Sequence, residues 1–171
     1  MSAQLYQIAD RKLLRAMAAF HAGFQPPQVV LEGLTEDQAT AKPHGLPHSI
    51  AEIVGHMLYW QEFFRRAATG PWPGVPEHAA EGWPSLKSGG WEALRRDFLE
   101  SCRKMEDLAE TSARLDARLL PEGVAIPVLE RDSVGSGLLH AAVHSAHHLG
   151  QIVTLRQLLG LWPPPGGGMT W

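Results

Sequence analysis

Ser49-Ile-Ala-Glu-Ile-Val-Gly-His56-Met-Leu-Tyr-Trp60-Gln-Glu-Phe-Phe64 opens with Ser49 and Glu52 three residues apart, the pattern of a capping box. Ile50, Ile53, Met57, Trp60 and Phe64 then recur at steps of three and four, so the segment reads as an amphipathic helix to about residue 68. At 100° per residue His56 falls between Phe63 on one side and Trp60 and Ile53 on the other, facing the helix's apolar side.

Three further segments carry the same period. Residues 3–24 place Tyr6, Ala9, Leu13, Ala16, Met17, Phe20 and Phe24 on one stripe, and Pro26-Pro27 ends it. Residues 89–114 repeat Trp91, Leu94, Phe98, Cys102, Met105 and Ala109. The last helix starts at a cap on Asp132 or Ser133 and runs to about Leu159. Gly160 stands where a left-handed residue belongs, and Pro163-Pro-Pro165 blocks extension. Between the first two helices, Thr35-Glu-Asp-Gln38 fits a capped helical turn.

Four amphipathic helices and no strand ladder predict an all-α, four-helix bundle with long connecting loops, as a single domain over 1–171. Residues 163–171 are expected to form a flexible tail, unless Trp171 docks. The loop from Gly70 to about Ser88, rich in Pro, Gly and Trp, fits either a lid or a packed cap over the core.

Composition narrows the function classes. The chain of 171 residues is 44% hydrophobic and 19% charged, with a formal charge of −3, which gives no basic footprint for nucleic acid and no cationic run for a membrane surface. Arg and Lys interrupt the first apolar stretch, so no signal peptide is read there, and no apolar run is long enough to span a bilayer. Cys102 is the only cysteine, which excludes an internal disulfide and fits a cytoplasmic protein. On its helix face it reads as a small buried hydrophobe rather than a nucleophile.

Histidine is where chemistry concentrates. Four of the nine histidines lie within His140-Ala-Ala-Val-His144-Ser-Ala-His147-His148, on the fourth helix. His144 and His148 are four apart and stack on one side, beside Ala141, Ile152, Leu155 and Leu159. Two helices thus turn imidazoles toward an apolar interior, where an unpaired polar ring costs about 1–3 kcal/mol. Two resolutions are open on spacing alone. The rings of His56, His144 and His148 share a divalent cation, or His56 caps a backbone carbonyl while the other two bond water.

The pattern Ser49-Ile-Ala-Glu-x-x-x-His56, then His144-x-x-x-His148-x-Gly150-Gln151 and a Leu-rich helix, resembles the DinB/YfiT-like family of metal-dependent enzymes. That name denotes the damage-inducible helical family, not a polymerase. The resemblance runs from Leu34-Thr-Glu-Asp-Gln38 through the last helix. It implies an up-down-down-up order of helices and a divalent metal held by His56, His144 and His148. It further implies either a thiol-dependent S-transferase or a metal-dependent hydrolase. A non-catalytic metal- or ligand-binding bundle is the third possibility.

Nothing here follows the His-Glu-x-x-His pattern, so general-base work would fall to His140, one turn before His144, or to Glu52, one turn before His56. Glu52 is equally suited to the capping box. His147 projects away from the ligand pair, toward the surface or a supporting position. His21, His44, His48 and His78 sit in or beside loops and receive no role. Trp60, Trp72, Trp83 and Trp91 either wall a pocket for an apolar substrate or fill the core. Zinc or nickel is the expected metal, with iron or manganese as alternatives. A small-molecule substrate, a low-molecular-weight thiol and a homodimeric assembly complete the expected partners.

Overall fold

Asp10, and not a residue near the N-terminus, starts the first helix. Its side chain accepts from the backbone N–H of Lys12 and Leu13, and α1 spans Arg11–Ala18. Of the helix expected over 3–24, the described residues carry only this middle part; 4–9 are not helical, and 3 and 22–24 lie outside the described residues. Tyr6 belongs instead to an extended segment: its N–H donates to the Arg131 carbonyl at 2.7 Å, and it bridges Asp132 in parallel register. The spacing of Tyr6 and Ala9 with Leu13 mimics a helical stripe, but tertiary pairing claims the backbone. At the other end Phe20 takes a left-handed φ of 58° with its ring buried, which turns the chain away from α1.

The computed structural model describes residues 4–21, 25–85 and 90–168; Phe24, Ser88 and Trp171, named above, lie outside them. The described residues form six α-helices and no strand. Two short ones follow α1: α2 (Pro27–Val30) and α3 (Glu36–Thr40), the latter under the expected Thr35–Gln38 capping box. Three long ones follow: α4 (Ile50–Thr69), α5 (Trp91–Thr111) and α6 (Val134–Leu158). Ser49 and Glu52 close their box on α4 at 3.2 and 2.7 Å. Ser133 caps α6 through the Ser136 N–H, and Gly160 ends it with a φ of 69°. No helix among the described residues is long and apolar enough to cross a membrane.

α4 packs against both α5 and α6, and α1 packs against the same two helices. The interior divides into two apolar clusters. One joins α2, α3 and the first half of α4 to Trp91, Phe98, Leu149 and Ile152. The other joins α1 and Phe63, Phe64 and Ala67 to Met105, Leu138 and the 115–129 segment. Trp91 is 1% exposed, and its indole N–H donates to the Leu34 carbonyl at 2.8 Å, so α5 is pinned to the start of α3. The buried Gln61 of α4 spans the three long helices by donating to Ser145 Oγ of α6 at 3.1 Å and to Cys102 Sγ of α5 at 3.4 Å. Burial pushes the Cys102 thiol up to about 12, which makes it a packing group and not a nucleophile.

Residues 163–168 of the expected flexible tail lie back along the molecule. The Gly166 N–H donates to Glu32, and Pro165 sits against Gly33. Arg156 holds this end together, its buried guanidinium donating to the Val30 carbonyl at 2.6 Å and the Leu161 carbonyl at 3.0 Å.

Candidate metal centre

α4 and α6 lie side by side, and at their contact the Nε2 atoms of three histidines meet. His56 Nε2 is 3.2 Å from His144 Nε2, which is 3.1 Å from His148 Nε2. All three donor atoms fall within 4.8 Å of one another, and among the described residues no fourth His, Cys, Asp or Glu joins them. His56 and His148 are each 8% exposed.

Tautomers are set from outside the cluster. The Gly82 carbonyl can only accept, so the 2.7 Å contact from His56 Nδ1 makes that nitrogen the N–H and leaves a lone pair on Nε2. Likewise His148 Nδ1–H donates to Gln151 Oε1 at 2.7 Å, and the Gln151 amide N–H goes on to His147 Nε2 at 3.3 Å. Two inward lone pairs thus face His144 Nε2, and a single proton there cannot make two good bonds. A divalent cation resolves the clash. Bonds of about 2.0–2.1 Å in a tetrahedral site put neighbouring nitrogens about 3.3 Å apart; two of the three separations match, and the wider His56–His148 pair, at up to 4.8 Å, has to draw in for one ion to reach all three. The residues present fit such an ion.

His144 is the least supported of the three. Its Nδ1 is buried without a hydrogen-bond partner, whereas each neighbour has an acceptor behind it. All three rings are driven toward the neutral, ligating form. Burial lowers the pKa of His56 and of His148, and burial with the nearby His148 and His56 takes His144 down to about 3.

A sequence profile of the DinB superfamily matches residues 28–152. The chain belongs to this superfamily. No curated protein and no solved structure matches it.

In this DinB-superfamily chain the carbonyl bond expected as one resolution for His56 is present, and it leaves the three-ring cluster able to hold an ion. His56 Nδ1 bonds a backbone carbonyl, and that bond is what aims Nε2 at the other rings. The loop after α4 supplies the carbonyl and more. Trp83 lies flat on His56 at 3.9 Å between ring centroids, with His48 flat on its opposite face at 3.7 Å. Gly82 sits so close to the Trp60 indole that a Cβ would come within 3.2 Å of its Nε1, so glycine lets the loop close down. Trp60 meets His56 edge-on, Trp72 packs on Phe63, and Trp91 belongs to the core.

Glu52 is committed elsewhere. It completes the Ser49 box and pairs with Lys42 at 2.8 Å, contacts that lower its pKa against the opposing effect of burial. His140 is exposed, outside the cluster, with its ring tilted against Phe64 at 5.1 Å. His147, expected near the surface, is exposed and supports His148 only through Gln151. Sequence reasoning passed over the Gly82 carbonyl and gave His48 no role. A backbone carbonyl leaves no compositional mark, and a stacking histidine in a loop has no periodicity to reveal it.

Proposed function

We propose that this chain is a divalent-metal-dependent enzyme whose ion is held by His56, His144 and His148 and which acts on a small molecule, with thiol transfer to an electrophile as its first reading. The observation that carries this is the convergence of three Nε2 atoms, two of them with tautomers fixed by Gly82 and Gln151. A bound cation supplies Lewis acidity, making a thiol or water beside it easier to deprotonate. Zinc or nickel suits three imidazoles, and iron or manganese is accommodated by the same set. Three protein donors leave room for a substrate, whereas a structural zinc site closes with four. The frame we assign is the family's up-down-down-up bundle, in which α1 and α4 each pack against both α5 and α6.

The protein's own part is positioning and exclusion. The apolar neighbours keep the rings neutral, and the Trp83 face walls one side. Beside His144 runs a groove of about 560 Å³ between Tyr6, Ile8, Leu139 and Val143, whose apolar walls suit a hydrophobic electrophile. Hydrolysis is the second reading, favoured by one observation: His140 lines the same groove and supplies the base that water activation requires.

The test compares the metal content of protein purified without added metal with that of His144→Ala. Loss of metal with retained helicity supports the site; equal metal content overturns it. With the metal-loaded protein, consumption of an epoxide or chloroarene only when a small thiol is added selects transfer, and consumption without thiol selects hydrolysis.

A further inference from the structure

Asp132 is an oddly placed carboxylate. It is 6% exposed and immediately precedes the cap of α6. Three segments fix it: the Leu119 N–H donates to its carbonyl at 2.9 Å, its own N–H donates to the Leu129 carbonyl at 3.0 Å, and Tyr6 bridges it. Its Oδ1 accepts from Ser136 Oγ at 2.8 Å. Its Oδ2 is buried and accepts from nothing. A buried carboxylate oxygen without a donor is costly, and such exceptions cluster where a group has work to do.

One donor stands near. His140 Nδ1 is 3.7 Å from Oδ2, half an ångström beyond a good hydrogen bond. Contacts between a catalytic base and the group that orients it tighten when substrate binds. The rest of the ring is open: the His140 side chain is 45% exposed and lies in the groove that also reaches His144. The two histidines are one turn apart on α6, about 5–6 Å between Cβ atoms. The groups facing His140 are Asp132, the Phe64 ring from α4, Tyr6 from the N-terminal segment, and His144 and His147 from its own helix.

We propose that Asp132 is a positioning residue that holds His140 in its Nδ1–H form, making His140 Nε2 the proton acceptor of the groove. This rests on the reading of the metal centre above and names the base for it. In the step, the S–H or O–H bond of the nucleophile breaks and its electron pair stays on sulfur or oxygen, to form the new bond to the electrophilic carbon. The proton goes to His140 Nε2, giving an imidazolium beside the Asp132 carboxylate, and passes from there to the departing group or to water. Asp132 acts through His140 and touches no reacting atom.

The test reads the ring directly, with no substrate needed. In protein carrying ¹⁵N-histidine, long-range ¹H–¹⁵N correlation at a pH where the ring is neutral shows which nitrogen of His140 is protonated, with His140→Gln to assign the signal. The expected result is Nδ1–H in the natural protein. In Asp132→Asn an amide N–H replaces Oδ2 and the form inverts to Nε2–H. Acylation of His140 by diethylpyrocarbonate, mapped by mass spectrometry, is expected to slow several-fold in the same variant. An Nε2–H ring in the natural protein overturns the proposal whether or not the variant folds, as does an Asp132→Asn ring unchanged in form and reactivity. Metal content separates the two readings. Asp132→Asn and His140→Gln are expected to keep their metal, so a chain that binds none refutes the centre without altering the tautomer result.

Discussion

Gln151→Leu isolates the support behind one ligand. In the structure the His148 Nδ1–H donates to Gln151 Oε1 at 2.7 Å, which both orients the ring and keeps the lone pair on Nε2. Leucine removes the acceptor and keeps the side chain's bulk. The half-buried Nδ1 then has no partner, and the ring is free to take the other tautomer, in which Nε2 carries the proton and cannot ligate. Loss of such a supporting acceptor costs 10–100-fold in metal affinity, about 1.4–2.7 kcal/mol. Gln151 is exposed, and its only other side-chain hydrogen bond among the described residues is to His147, so the fold has little to lose. The assay is competition for zinc with a chromophoric chelator at fixed pH, beside thermal unfolding of the metal-free protein. Gln151→Glu is expected to bind at least as tightly as the natural protein, because a carboxylate accepts the same bond more strongly. His147→Ala is expected to cost only a few-fold, since it acts one bond further out. Affinity for Gln151→Leu within about twofold of the natural value would refute the reasoning that outer bonds, rather than ring proximity alone, set this site.

Acid is expected to destabilise the metal-free protein. The unfolded rings take protons near the ordinary histidine value of 6.5 while His144 holds out to about 3, so stability present above pH 6.5 is lost as pH falls through that window. The full shift corresponds to about 4–5 kcal/mol, cut to roughly 2 by solvent screening of this partly exposed ring; urea midpoints at pH 7.5 and 5 that coincide would contradict it. Trp83→Leu is expected to cost about 1–2 kcal/mol through two lost ring stacks and to weaken metal binding, read by the same chelator competition. Arg156→Met leaves the Val30 and Leu161 carbonyls without their donor and is expected to lower stability by about 2–4 kcal/mol in chemical denaturation.

The long helices were legible because their signals are local. The Ser49–Glu52 box, the Ser133 cap and the left-handed Gly160 are each set by a few neighbouring residues, and they stand where the sequence puts them. The first helix misled because Tyr6 and Ala9 fall in phase with Leu13, while the pairing of Tyr6 with residues 131–132 involves chain 125 residues away. α2 was read as a break: Pro26-Pro27 closes one helix, yet Pro27 is also the first residue of the next, where a missing N–H costs nothing. At the site, period alone brought His56, His144 and His148 to facing sides of two helices. What holds their outer nitrogens was not readable in full. Gln151 appeared in the motif without a role, and Gly82 and Trp83 come from a loop whose path no periodicity describes.

His56 leans on a peptide oxygen, and that has a consequence for how the segment before α5 tolerates change. A side-chain acceptor can be deleted by one substitution, but the Gly82 carbonyl survives any replacement that preserves the route of the chain. Most letters between 71 and 81 are accordingly free to drift, whereas adding or removing a single residue ahead of Gly82 shifts the oxygen off the ring. Spacing, more than spelling, is the inheritance this stretch must keep.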